Sequence, residues 1–300
     1  MKIAIMGAGA MGSLFGAHLA DAGHDVLLVD VDPGVVAAVV ADGILLGERA
    51  VPVPITADPA GRGTYDAVVV LVKTYDTEAA AGLAAPLVGP ATVVATLQNG
   101  IGGADVLAEA FGPERVLAGV TYQGATVLAP GRIRHHMHGE TFLGDDVAAA
   151  APLAAALTEG GQPARALDPV APRIWKKLTN NCMGNCTSAL TGMSGGQMAG
   201  DDGILALQRA IATEAVAVAA GLGHDLDLED CVHTNTSVLA SSGDGRPSML
   251  QDVQAGRRTE IETLNGAIVR HGDALGIDVP VNRAMVALVR GWERARGLRG

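Results

Sequence analysis

The chain has 300 residues, 49% of them hydrophobic, and 21 Lys and Arg against 32 Asp and Glu give a formal charge of −11. That length suits two domains of ordinary size with real cores. The acidic balance and the lack of any basic run argue against nucleic acid and anionic membrane surfaces, and no apolar segment reads as long enough to span a bilayer.

Ile3 to Met6 reads as a short buried strand, and Gly7-Ala8-Gly9-Ala10-Met11-Gly12 follows at the G-x-G-x-x-G spacing. Met11, Leu14, Phe15, Leu19 and Ala22 then recur at helical period until Gly23. Strand, glycine turn and helix together form a dinucleotide-binding fingerprint. Gly7 allows the turn, Gly9 lets backbone approach a pyrophosphate, and Gly12 lets helix and strand pack. The helix's first N–H groups and its positive dipole end face the phosphates.

His24 to Asp30 is the next strand, and it ends on a carboxylate. An acid there accepts hydrogen bonds from the adenosine ribose and repels a 2′-phosphate. With no Lys or Arg in Asp30-Val-Asp-Pro-Gly34, NAD(H) is favoured over NADP(H). The alternative is that Asp30 only caps the following turn and that Asp32 or a distant Arg decides.

Further strands are expected at Asp66–Val72, Thr92–Leu97, Val116–Gln123 and, after a Pro130-Gly131 turn, Ile133–Leu143. Ala148–Glu159 reads as a helix and Leu167–Pro172 as a linker. The fold class expected for residues 1–168 is therefore α/β, a Rossmann-like doubly wound sheet. Residues 169–300 should form an all-α domain, with helices over Trp175–Leu190, Gly203–Ala220, Leu228–Ser241, Thr259–Leu275 and Asn282–Arg296. A substrate would meet the nicotinamide in the cleft between such domains.

Ligands of open α/β sheets bind beyond the carboxyl ends of the strands. Lys73 and Asn99 sit at two such ends, although a solvated lysine and an Asn-Gly turn explain them equally well. Lys177, Asn181 and Asn185 are spaced four apart, forming one polar stripe beside Leu178, Cys182, Met183 and Cys186. That pattern suits a lined pocket, and a solvent-facing stripe is the alternative. Ser248 offers a donor to a carboxylate, or an N-cap. Glu260 offers a partner for a lysine, or a first-turn acid. His135-His-Met-His138 puts His136 and His138 on one strand face, yet nothing nearby completes a metal site, so no metal is expected. Three cysteines, Cys182, Cys186 and Cys231, in a chain opening on a strand rather than a signal peptide, read as reduced thiols of a cytoplasmic protein.

Gly7-Ala-Gly-Ala-Met-Gly12, Lys73, Gln98-Asn-Gly100, Trp175-Lys-Lys-Leu-Thr-Asn-Asn181, Ser248-Met-Leu-Gln-Asp252, Thr259-Glu-Ile261 and Leu264-Asn-Gly266 resemble, in this order, the ketopantoate reductase family. The likeness runs from Met1 to about Arg290. It implies an NAD(P)H-dependent reduction of 2-dehydropantoate to pantoate, a step of pantothenate biosynthesis. By this resemblance Lys177 matches the catalytic lysine that protonates the keto oxygen, and Glu260 the acid that positions substrate and lysine. Asn99, Asn181 and Asn185 line the site, Ser248 holds substrate, and Lys73 lies beside cofactor and substrate. Cofactor binding falls to Gly7, Ala8, Gly9, Ala10, Met11, Gly12, Asp30, Lys73 and Asn99.

Two departures stand out. Members using NADPH tend to carry arginine where this chain has Asp30-Val31, and a family asparagine three residues before the substrate serine is Gly245 here, with Arg246 a candidate replacement. The partner expected is a small-molecule 2-oxo acid, with a homodimer left open. The alternatives are a reductase of a different 2-oxo acid or derived imine, and a non-catalytic NAD(H) sensor.

Overall fold

The structure, a computed structural model, describes residues 1–299. Its opening β-α-β unit consists of β1 (Lys2–Met6), α1 (Ala10–Asp21) and β2 (Asp25–Val29). Next come α2 (Pro33–Asp42), β3 (Ile44–Leu46), β4 (Arg49–Val51), β5 (Ile55–Thr56) and β6 (Ala67–Val70). Then follow α3 (Thr77–Ala84), β7 (Val93–Thr96), α4 (Gly103–Phe111), β8 (Val116–Thr121), β9 (Gly124–Ala129), β10 (Arg132–Met137), β11 (Thr141–Gly144), α5 (Val147–Glu159) and β12 (Ala164–Ala166). From there the chain is helical: α6 (Ala171–Thr191), α7 (Gly195–Ala199), α8 (Asp202–Gly221), α9 (Leu228–Ser242), α10 (Ser248–Gln254), α11 (Asn265–Leu275) and α12 (Pro280–Arg294).

Two compact units result. One comprises Met1–Gln98 with Gly103–Val170, and the other comprises Asn99–Gly102 with the chain from Ala171 onward. The first is built on a sheet of order β12-β11-β8-β7-β6-β1-β2-β5. The six strands from β5 to β8 are all parallel, in the doubly wound order, and β11 joins antiparallel to β8. β6 is apolar throughout and β1 is apolar and buried from Ile3 to Met6, as strands covered on both faces must be. Ile3, Ile5 and Leu28 face a core completed by Leu14, Phe15 and α5, whereas Ala4, Met6 and Val68 face the α3 and α4 side.

The Ile133–Leu143 expectation needs correcting. β10 does not join the main sheet: it forms a second sheet of order β4-β3-β10-β9, and only β11 enters the first. Along β10 the residues Arg132, Arg134 and His136 are exposed around a buried Ile133. A strand wetted on one face cannot sit inside a sheet covered on both. There is also a register shift between His135 and Met137, and the His135 ring lies against that of His138, with centroids 3.8 Å apart and planes tilted by 51°.

The second unit packs around α6, whose Leu178, Cys182, Met183 and Cys186 meet Ile211, Ala215 and Val218 of α8 and Ile268 of α11 in one core. Each large side chain buried there contributes about 2 kcal/mol. α8 is long and apolar enough to cross a membrane by length and composition, contrary to the sequence expectation. It packs against α6, α9, α11 and α12 instead, burying Ile211, Ala212, Ala215, Val218 and Ala219. The helix expected from Thr259 starts only at Asn265. Thr259 and Glu260 are irregular and Ile261 to Leu264 forms a turn, in which the Glu260 carbonyl accepts Thr263 N and Leu264 N, while the Glu293 carboxylate accepts the Thr259 N–H.

Candidate functional site

In the first unit the glycine turn is shaped by contact. Gly7 has φ 97°, and a Cβ on Gly12 would lie 1.8 Å from the Gly7 carbonyl oxygen. Both positions therefore need glycine. Gly9 differs: a Cβ there would meet nothing within 4 Å, and Gly9 N-caps α1 without a side-chain hydrogen bond. Open space thus lies before α1, whose first N–H groups lack intrahelical partners. A pyrophosphate fits this cradle chemically, with Gly7, Ala8, Gly9, Ala10, Met11 and Gly12 supplying backbone and the helix dipole supplying field.

Asp30 lies one residue past β2. Its Oδ2 accepts the Ala8 N–H at 2.7 Å and its Oδ1 accepts the Asp32 N–H at 2.9 Å. Asp32, not Asp30, N-caps α2, accepting from Gly34 N at 2.7 Å and Val35 N at 3.2 Å. The acid at the strand end is therefore bound to the glycine turn.

Lys73 follows β6 by three residues, the strand ending at Val70 rather than Val72. It is half-buried, and its carbonyl accepts Asp76 N at 2.8 Å to start a turn. The preceding residue, Val72, abuts Gly7, where a Cβ would come within 3.1 Å of Val72 N. Gln98, to which sequence reasoning gave no role, fastens this loop. Its Nε2 donates to Val72 O at 2.8 Å and to Thr77 Oγ1 at 2.9 Å, while its Oε1 accepts from Thr96 Oγ1 at 2.9 Å. The turn, Asp30 and the Lys73 segment are thus brought together.

The second unit gathers the remaining residues. Asn99 to Gly102, although they follow β7, join the helices: Ile101 N donates to Thr263 O at 3.2 Å, and a Cβ on Gly100 would lie 2.3 Å from the same oxygen. Asn99 Oδ1 then accepts from Asn181 Nδ2 at 3.4 Å. α6 runs unbroken through Gly184, so Lys177, Asn181 and Asn185 keep their stripe. Lys177 and Asn181 are half-buried and Asn185 is buried. Asn185 Oδ1 accepts from Ser248 Oγ at 3.2 Å and from Met249 N at 3.4 Å, holding the start of α10. Ser248 remains exposed.

Glu260 is buried in the turn before α11. Desolvation draws the Lys177 ammonium down from 10.5 to about 8, and the Glu260 carboxylate pulls it back upward. The neighbouring thiols play no comparable part: burial pushes Cys186 up to about 12, and its Sγ donates to Cys182 O at 2.9 Å. A partly desolvated cation facing a buried carboxylate, beside two amides, can bind an oxyanion and give up a proton near neutral pH.

At Gly245 a Cβ would lie 2.8 Å from Ser242 O, and the loop is stitched to α7 by Gly195 N on Gly245 O at 2.9 Å and Gly196 N on Gly243 O at 2.7 Å. A side chain cannot simply be restored there. Arg246 donates to Gln254 Oε1 at 2.9 Å, and with Asp244, Ser194 and Gln197 it lines a polar cavity of about 350 Å³.

Residues 3–147 match the family model described as ketopantoate reductase PanE/ApbA, and residues 170–293 match its C-terminal companion. A 2-dehydropantoate 2-reductase of Archaeoglobus fulgidus is 36% identical, covering 97% of this chain and 98% of its own. The crystal structure of a PanE/ApbA family ketopantoate reductase from Ralstonia eutropha superposes with a TM-score of 0.89 at 38% identity, over 99% of this chain and 100% of that one. A ternary structure of D-mandelate dehydrogenase with NADH and anilino(oxo)acetate superposes with a TM-score of 0.95 at 29% identity, over 100% of both chains. With a nicotinamide-type Rossmann sheet and a helical second unit both matched, the chain belongs to the ketopantoate reductase family, a family of oxidoreductases that act on CH–OH groups.

Proposed function

We propose that this protein reduces a 2-oxo acid to the 2-hydroxy acid with NADH, ketopantoate to pantoate being the leading reaction, and that Lys177 is the general acid. The observation carrying this reading is the Lys177 ammonium, lowered to about 8 by burial and opposed by Glu260, on the face that also bears Asn181 and Asn185.

The reduced nicotinamide, when bound, supplies a hydride to the keto carbon. Lys177 holds its proton at the keto oxygen and delivers it as the C=O becomes CH–OH, while its charge stabilises the developing alkoxide. Glu260 keeps that lysine charged. Asn181, tied to Asn99, and Asn185, oriented by the Ser248 hydroxyl that donates to its Oδ1, present amide donors to the 2-oxo acid. Asp30 selects NAD(H), since its charge repels a 2′-phosphate, and the turn Gly7 to Gly12 receives the pyrophosphate. Lys73 and Asn99 complete the cofactor's surroundings.

A second reading keeps the chemistry and changes the acid. The tight loop at Gly245, and the likeness to a D-mandelate dehydrogenase solved with anilino(oxo)acetate, favour a bulkier 2-oxo acid. Steady-state reduction of ketopantoate and phenylglyoxylate, each with NADH and NADPH, separates the two. Preference for ketopantoate with NADH supports the first reading, preference for phenylglyoxylate supports the second, and turnover of neither contradicts both.

A further inference from the structure

Glu260 lies in irregular chain just before the Ile261–Leu264 turn rather than in a helix, so its placement draws on contacts from outside the local backbone. Both flanks are gripped by α12 and the segment after it. On one side Thr259 donates its N–H and its Oγ1 to the same oxygen, Glu293 Oε1, at 2.7 and 2.6 Å. On the other, Glu262 receives Arg290 through Nε at 2.7 Å and Nη2 at 2.6 Å, and Arg299 Nη1 at 2.6 Å. Arg299 Nε closes the ring by donating to Glu293 Oε2.

Glu293 is fully buried, and Thr259 is 1% exposed. A carboxylate carried wholly into the interior is costly unless paired and hydrogen-bonded, and packed apolar residues commonly do as well for stability alone. What the carboxylate offers beyond stability is geometry: one oxygen fixes two donors of the residue immediately before Glu260.

We propose that Glu293 is a positioning residue for the reaction, holding the Thr259 backbone so that the Glu260 carboxylate stays against Lys177, with Arg299 orienting Glu293 through its other oxygen. This inference rests on the reading of Lys177 and Glu260 given above. The charge acting on the Lys177 ammonium is that of Glu260, so releasing the turn removes the influence that holds the lysine's titration up.

The test uses the full chain and two readouts, one of them independent of turnover. The only lysines are Lys2, Lys73, Lys176 and Lys177, so carbon-13 labelling at lysine Cε, assigned with Lys177→Arg, follows the titration of Lys177 by NMR. In Glu293→Ala the Lys177 midpoint should move to lower pH. The kcat for the 2-oxo acid should fall about 10-fold to 100-fold, the range expected of a misplaced catalytic group. Glu293→Gln, whose Oε1 still accepts from Thr259, should restore most of both. Should Glu293→Ala fail to fold, Thr259→Val, which removes one of the two bonds, must show the same shift at smaller amplitude. A folded Glu293→Ala or Thr259→Val in which Lys177 titrates unchanged overturns the proposal. Glu260→Gln separates the two layers: unchanged kcat there refutes the catalytic reading, while the NMR shift still decides the clamp.

Discussion

Asp30 Oδ2 accepts the backbone N–H of Ala8 at 2.7 Å, so the residue expected to select the nucleotide also braces the turn expected to hold its phosphates. These two tasks separate by substitution. The unmodified protein should show higher kcat/KM with NADH than with NADPH. Asp30→Asn keeps an acceptor for Ala8 but loses the charge, and should narrow the gap by about tenfold, the worth of one charge-assisted hydrogen bond. Asp30→Ala should narrow it as well and also raise KM for both nucleotides. Equal use of the two cofactors by the unmodified protein contradicts the assignment.

The pH dependence follows from Lys177. Reduction needs the protonated amine, so kcat/KM should be level below about pH 8 and fall as pH rises through it. Glu260 pulls the lysine upward, so Glu260→Gln should move the break to lower pH. Stability has the opposite slope. Between about 8 and 10.5 the unfolded chain binds a proton that the folded chain has lost, so the Lys177 contribution becomes more favourable as pH rises across that window. Lys177→Met should flatten that part of a denaturation-against-pH profile.

Gly100 couples loop shape to the Asn99 contact. A methyl at Gly100 would press on Thr263 O from a backbone with φ 81°, which alanine rarely adopts. Gly100→Ala should destabilise the protein by about 1–3 kcal/mol, seen as a lower Tm, and raise KM for the 2-oxo acid as Asn99 leaves Asn181. An unchanged Tm with unchanged KM would show that the loop has no such constraint.

Asn185 and Ser248 act through one bond, Ser248 Oγ to Asn185 Oδ1 at 3.2 Å. Asn185→Ala should raise KM for the 2-oxo acid about tenfold, since it also strands Met249 N. Ser248→Ala should cost less, and the double variant should fall short of the product of the singles. Strict multiplicativity in that cycle would mean that the two residues serve the substrate independently.

Much of this was legible in the sequence. The buried parallel strands announced themselves as continuous apolar runs, and the glycine spacing fixed the turn after β1. The α6 stripe followed from a four-residue period that Gly184 did not interrupt. What escaped was set by distant partners. The second sheet depends on β10 pairing with β3, about ninety residues earlier in the chain, which no local pattern reports. Thr259 to Leu264 has helical periodicity, yet the helix begins only at Asn265, and the segment before it is tied to a carboxylate of α12. The residues Asn99 to Gly102 leave the sheet for the helical unit through Thr263, a contact that periodicity cannot encode. Gln98 was visible as part of the Gln98-Asn-Gly100 motif but without a role, because its bonds to Val72 and Thr77 depend on strands meeting side by side.

The most direct measurement is steady-state reduction of ketopantoate by Lys177→Ala, with NADH affinity followed separately by nicotinamide fluorescence. The proposed mechanism requires kcat to fall by about two orders of magnitude or more while the NADH Kd stays unchanged. Turnover close to that of the unmodified protein would contradict the role of Lys177 as proton donor.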